Sequence, residues 1–136
     1  MLEENLKRLA EDLQLPPFPP KDLQSCYKLT LSDDLLIIVK KNQEGLAFFA
    51  NLAPLLFQKK ESAFIYLMKA NLLGQGTGDQ ALGIDFEEKS LTLSCIIPYD
   101  MEYKEFKERI ENFVNYLYYW RFEVEKMQKA EQTSIM

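Results

Sequence analysis

The side chains in this chain with the clearest capacity for covalent or acid–base chemistry are two cysteines, Cys26 and Cys95, and acidic pairs such as Glu3/Glu4, Asp33/Asp34 and Glu87/Glu88. A thiol nucleophile needs an activating base, and a zinc site needs several sulfur or nitrogen donors. The 136 residues include no histidine, which removes the usual general base, the commonest metal ligand and every triad built on imidazole. The two cysteines then form neither an activated nucleophile nor a zinc site. The acidic pairs fall on a helix face or at turn tips, where carboxylates stay solvated, and no catalytic dyad is expected among them. Gly74-Gln75-Gly76-Thr77-Gly78 has the composition of a phosphate-binding loop. Such loops run from a strand into a helix, whereas this one runs from a helix into a strand, and it lacks the Gly-Lys-Ser/Thr ending. No catalytic residue, metal ligand or cofactor is assigned, and an enzyme is not expected.

Composition narrows the class further. The length suits a single domain spanning 1–136, and 47% hydrophobic with 27% charged residues is the balance of a globular protein. A net charge of −5 argues against general nucleic-acid binding, which needs clustered Lys and Arg to displace counterions. No apolar run approaches the roughly 20 residues that span a bilayer, so membrane insertion is not expected. The start, Met-Leu-Glu-Glu-Asn, lacks the basic and apolar segments of a signal peptide, which favours a cytoplasmic location. Both cysteines lie in strand-like segments. A disulfide is one option, and reduced, buried thiols are the favoured expectation.

The elements follow from periodicity. Leu2, Leu6, Leu9 and Leu13 form the stripe of an amphipathic helix that stops at Pro16. Pro16-Pro17-Phe18-Pro19-Pro20 must be extended and reads as a stiff connector rather than a docking ligand. Tyr27, Leu29 and Leu31 alternate with polar residues as a strand, and Ser32-Asp33-Asp34 turns. Leu35 to Val39 is apolar throughout, so both faces of that strand are expected to be covered. Leu46 to Ala50 makes a third strand, completing an antiparallel meander. A helix is expected from about Lys60 to Leu73, with Phe64, Leu67, Met68 and Leu72 on one face and Gly74 as its cap. Leu82 to Phe86 and Leu91 to Ile97 form a hairpin.

The last element is the longest. Tyr103, Phe106, Ile110, Phe113, Leu117, Trp120, Val124 and Met127 recur at steps of three and four, which predicts a helix from about Glu102 to Lys129 with a frayed tail over 130–136. The stripe reads as core rather than coiled coil, while Tyr116, Tyr118, Tyr119 and Phe122 give the helix a second aromatic surface. The fold class is thus α+β: helix, three-strand antiparallel meander, helix, two-strand hairpin and long C-terminal helix. These elements offer more apolar surface than one small sheet can bury, which points to a dimer or a bound peptide.

Ala70-Asn71, the loop ending Thr77-Gly78-Asp79-Gln80-Ala81, then Leu82-Gly83-Ile84-Asp85 and Leu91-Thr92-Leu93 together resemble the signature of class I type III secretion chaperones, the Tir-chaperone (CesT-like) family. Phe106, Ile110, Phe113 and Trp120-Arg121 are similar to that family's final helix, and the order of elements is similar over essentially the whole chain. Asp79-Gln80 departs from the two small residues that often follow Thr-Gly in the family, and the first half is similar by pattern alone. The resemblance implies a homodimeric bacterial chaperone in the cytoplasm, linked to virulence. It would bind the extended N-terminal segment of a secreted effector or regulator and keep it soluble and secretion-competent without ATP. It also implies a dimer interface at Leu72, Leu73, Leu82, Ile84 and Phe86, and an effector-binding surface is assigned to Leu6, Leu9, Leu13, Ile37, Val39 and Phe48. Two alternatives stay open: a subunit of a heterodimer with a sister chaperone, and a cytoplasmic regulator binding the transcription machinery.

Overall fold

The computed structural model describes residues 2–43, 45–54, 61, 64–65, 68–69, 71, 80–85 and 89–135. The elements are α1 (Leu2–Asp12), β1 (Cys26–Ser32), β2 (Leu35–Lys41), β3 (Leu46–Pro54), β4 (Ala81–Ile84), β5 (Ser90–Ile97) and α2 (Tyr103–Ile135). Between β3 and β4, Glu61, Phe64, Ile65, Met68, Lys69 and Asn71 are helical, within the helix expected from the sequence. The class is α+β as the periodicities indicated. The strands join in the order β1-β2-β3-β5-β4, with β1/β2, β2/β3 and β4/β5 antiparallel.

The chain groups into two compact units, one of Met1–Ala50 with Cys95–Phe113 and one of Asn51–Ser94 with Val114–Met136. In the first unit the inward faces of β1, β2 and β3 carry Tyr27, Leu29, Leu35, Ile37, Val39, Leu46 and Phe48, all buried. Phe48 is the hub: its ring meets Phe106 and Phe113 of α2 edge-on, with centroids 6.1 and 5.8 Å away. Helix α1 adds Leu2, Leu6, Leu9 and Ala10 to this core. Polar ties fix its position. Asn5 donates to the Met101 carbonyl at 3.0 Å, Tyr27 donates to Glu3 at 2.9 Å, and Tyr103 donates to Asp12. Arg8 lies over the Tyr103 ring, 4.2 Å from its centroid. Gly45 permits the β3 start to pass against Ile97 and Tyr99, since a Cβ there would run into the Ile97 carbonyl oxygen.

In the second unit Leu91 and Leu93 of β5 are buried, as are Leu82 of β4 and Leu117, Trp120 and Val124 of α2. Arg121 donates from Nε to the Leu52 carbonyl at 2.9 Å and from its Nη2 to that of Asn51 at 3.0 Å, satisfying acceptors at the far end of β3.

Several expectations need correction. Helix α1 ends at Asp12, before Pro16, because Gln14 takes the left-handed conformation with φ 56°. The amide of Leu15 then reaches the Ala10 carbonyl at 2.9 Å and that of Gln14 reaches Glu11 at 3.1 Å, a Schellman closure. Strand β2 is covered on one face only, as Leu36 and Leu35 differ: Leu36 is 43% exposed and Leu35 is buried. Helix α2 runs to Ile135, past the expected Lys129, since no Gly or Pro interrupts it. Neither cysteine is in a disulfide, and Cys26 is half-buried rather than buried like Cys95.

Candidate binding surfaces

The buried side of β1, β2 and β3 leaves an opposite, solvent-facing side whose residues are fixed by register. Ile38 pairs with Lys28 on β1 and Phe49 on β3, and Lys40 pairs with Cys26 and Ala47. Because side chains alternate along a strand, Leu36, Ile38 and Lys40 share this outer face with Lys28, Ala47 and Phe49. Ile96 of β5 joins it, flanked by the buried Cys95 and Ile97. Leu36, Phe49 and Ile96 are 43%, 37% and 75% exposed, a band of large apolar groups facing water on one sheet face.

A second concavity of the same unit lies between α1 and the proline run. It encloses about 490 Å³ and is walled by Leu6, Ala10, Leu15, Phe18 and Tyr27, with Glu3, Lys7, Glu11 and Lys21 around it. The Schellman turn places Leu15 in this wall, and burial together with Glu3 pushes the Tyr27 phenol pKa up, keeping it a neutral donor. The wall accepts apolar side chains and the rim carries both charge signs.

In the second unit Ile65 and Met68 are exposed on the helical segment and, with Lys69 and Asn71, border a shallow cavity of about 470 Å³. Asn71 binds the backbone of β4 from both sides: its Nδ2 donates to the Leu82 carbonyl at 2.7 Å, and its Oδ1 accepts from the Leu82 amide at 2.8 Å. β4 is an outer strand of the sheet, so the Asn71 amide takes the place of a neighbouring strand at that residue. Of the second aromatic surface expected on α2, Tyr118, Tyr119 and Phe122 are exposed and Tyr116 is half-buried.

The residues assigned to effector binding from the sequence divide sharply. Leu6, Leu9, Ile37, Val39 and Phe48 are all buried, while Leu13 is exposed. Only Leu6 of the buried five also borders the α1 groove. Their neighbours on β2 and β3, Leu36 and Phe49, are the ones that face water. Of the expected dimer contacts, Leu82 is buried and Ile84 half-buried, and Leu72, Leu73 and Phe86 lie outside the described residues. The loop Gly74 to Gly78 and the pair Glu87/Glu88 lie outside them as well.

Among the described residues no group of three or more His, Cys, Asp or Glu is placed to hold a metal ion. Glu3 and Asp12 accept hydrogen bonds from Tyr27 and Tyr103, and Asp34 accepts one from Ser32 at 2.8 Å. No helix among the described residues is long and apolar enough to cross a membrane.

Comparison with known proteins gives one family model that matches residues 4–121, that of the Tir chaperone protein (CesT) family. A protein of Chlamydia pneumoniae, CPj0713/CpB0740, is 26% identical over 122 residues, covering 88% of this chain and 93% of its own length. Among solved structures, a chain of the ExsC–ExsE complex superposes with a TM-score of 0.74 at 16% identity, covering 88% of this chain and 90% of that one. A chain of the HopA1–SchA chaperone–effector complex gives 0.68 at 15% identity, covering 88% and 92%. These two likenesses establish the fold.

Proposed function

The chain belongs to the Tir chaperone protein (CesT) family, and from that premise we propose that it is a type III secretion chaperone that binds the N-terminal segment of a secreted effector or regulator. The observation that carries the reading is the outer face of the sheet, where Leu36, Phe49 and Ile96 expose apolar surface to water. An extended client segment lying there would bury side chains on both partners, so binding draws on area and needs no nucleotide. At about 25 cal/mol per Å² of apolar area, even a few hundred Å² outweighs the loss of one hydrogen bond. The α1 groove offers a second anchor through Leu6, Leu15 and Phe18. Leu9, Ile37, Val39 and Phe48 then act from behind, as the core beneath these surfaces.

The likeness to one half of a chaperone–effector complex supports this reading. We further propose a homodimer in the bacterial cytoplasm, joined through the helical segment that exposes Ile65 and Met68 together with Leu72, Leu73, Leu82, Ile84 and Phe86. The client held in this way stays soluble and competent for secretion. Affinity purification from the native bacterium tests the function. The expected outcome is one secreted protein whose capture is lost when its N-terminal segment is deleted; co-purification of RNA polymerase without any secreted protein would replace the proposal with a regulatory role.

A further inference from the structure

The outer sheet face carries a charge opposite to that of the whole chain, and we propose that it selects a client segment that is acidic as well as apolar. The inference rests on the client-binding reading above and adds the chemistry of the client. Register places Lys28, Ile38 and Phe49 in one cross-strand row and Cys26, Lys40 and Ala47 in the next. Directly opposed residues in such rows stand about 5 Å apart at Cβ, so both ammonium groups border the apolar band. Thr30 and Leu36 make the row on the other side. None of these three rows contains an acidic residue, in a chain with 21 Asp and Glu against 16 Lys and Arg.

The two lysines are also available. Lys28 and Lys40 are exposed, and the ion pairs seen among the described residues, Lys107 with Asp12 and Lys129 with Glu125, lie elsewhere. Asp22 interacts weakly with Lys28, and its Oδ1 accepts hydrogen bonds from the amides of Gln24 at 2.8 Å and Cys26 at 3.0 Å. A segment with aliphatic side chains along one side and Glu or Asp at the flanks would bury the first against Ile38 and Phe49 and bring the second to Lys28 and Lys40. A segment carrying Lys at those flanks would meet like charge, so specificity comes as much from repulsion as from attraction.

Three synthetic peptides with the same Leu and Val positions, and Glu, Gln or Lys between them, test the selection by fluorescence anisotropy with the full-length protein. The Glu peptide is expected to bind about tenfold tighter than the Lys peptide at low ionic strength, with the gap closing as salt screens exposed charges. Lys28→Gln with Lys40→Gln should remove the preference, and Lys28→Glu with Lys40→Glu should reverse it, each with an unchanged melting transition. Equal affinities for the three peptides, lost together on Leu36→Asp with Phe49→Asp, would overturn the charge selection and leave client docking on this face standing. Failure of all three to bind would overturn docking itself. A change of oligomeric mass in the lysine variants would assign the face to a second copy of the chain and overturn the proposal equally.

Discussion

Gln14 holds a backbone conformation that an L side chain adopts at a cost of about 1 kcal/mol, and the Schellman closure of α1 depends on it. Gln14→Gly is therefore expected to stabilise the fold by up to about 1 kcal/mol in urea unfolding. Destabilisation would show that the Gln side chain contributes more than the strain it causes. Tyr103 makes a different prediction. Burial first, then its hydrogen bond to Asp12, push its phenol from 10.0 to about 12, and burial and Glu3 raise Tyr27 in the same direction. Both groups bind their protons more tightly in the folded chain than in the unfolded one. Their stabilisation is complete below the unfolded value of 10.0 and is lost as pH rises toward about 12. Urea midpoints should fall through that alkaline window, and Tyr103→Phe should flatten the fall while costing about 1–2 kcal/mol at neutral pH. A variant that keeps the wild-type alkaline slope would rule out Tyr103 as its source. At this scale the missing histidine was plain in the sequence. The strain at Gln14 was not, because nothing in the residue type announces a positive φ.

At the scale of elements, Phe48 and Phe49 are adjacent in β3 and face opposite ways. Phe48→Ala should cost about 3–5 kcal/mol, since it empties the space between Phe106 and Phe113. Phe49→Ser should cost less than about 1 kcal/mol while weakening client binding. Thermal denaturation of the two variants checks the contrast, and similar losses would mean that the outer face is covered within the chain. The stripes of α1 and α2, the meander and the hairpin were all legible from periodicity. Which apolar residues of β2 face water was not, because Leu35 to Val39 is apolar at every position and period two leaves no trace in such a run. The stripe Leu6 and Leu9 misled for a related reason: a helix buried on its own sheet and one offered to a partner have the same pattern. The place of β5 beside β3 is a non-local pairing with no local signal. The reciprocal bonds of Asn71 to Leu82 were likewise invisible, although Asn at the end of an apolar helix was part of the motif that carried the family resemblance.

For the whole molecule, the proposed homodimer requires a mass about twice 15.9 kDa in native mass spectrometry. Met68→Glu should shift it toward monomer by placing a charge in the interface, and an unchanged dimer would place the interface elsewhere. The central claim is that an effector's N-terminal segment binds the exposed face of the sheet while the leucines and phenylalanine behind it serve as core. Isothermal titration of that client segment into the wild-type chain and into Leu36→Asp with Phe49→Asp tests this most directly. The expected result is saturable binding to the wild type and a loss of about a hundredfold in the variant, with its melting transition and oligomeric mass retained. Unchanged affinity in the folded variant would contradict the claim.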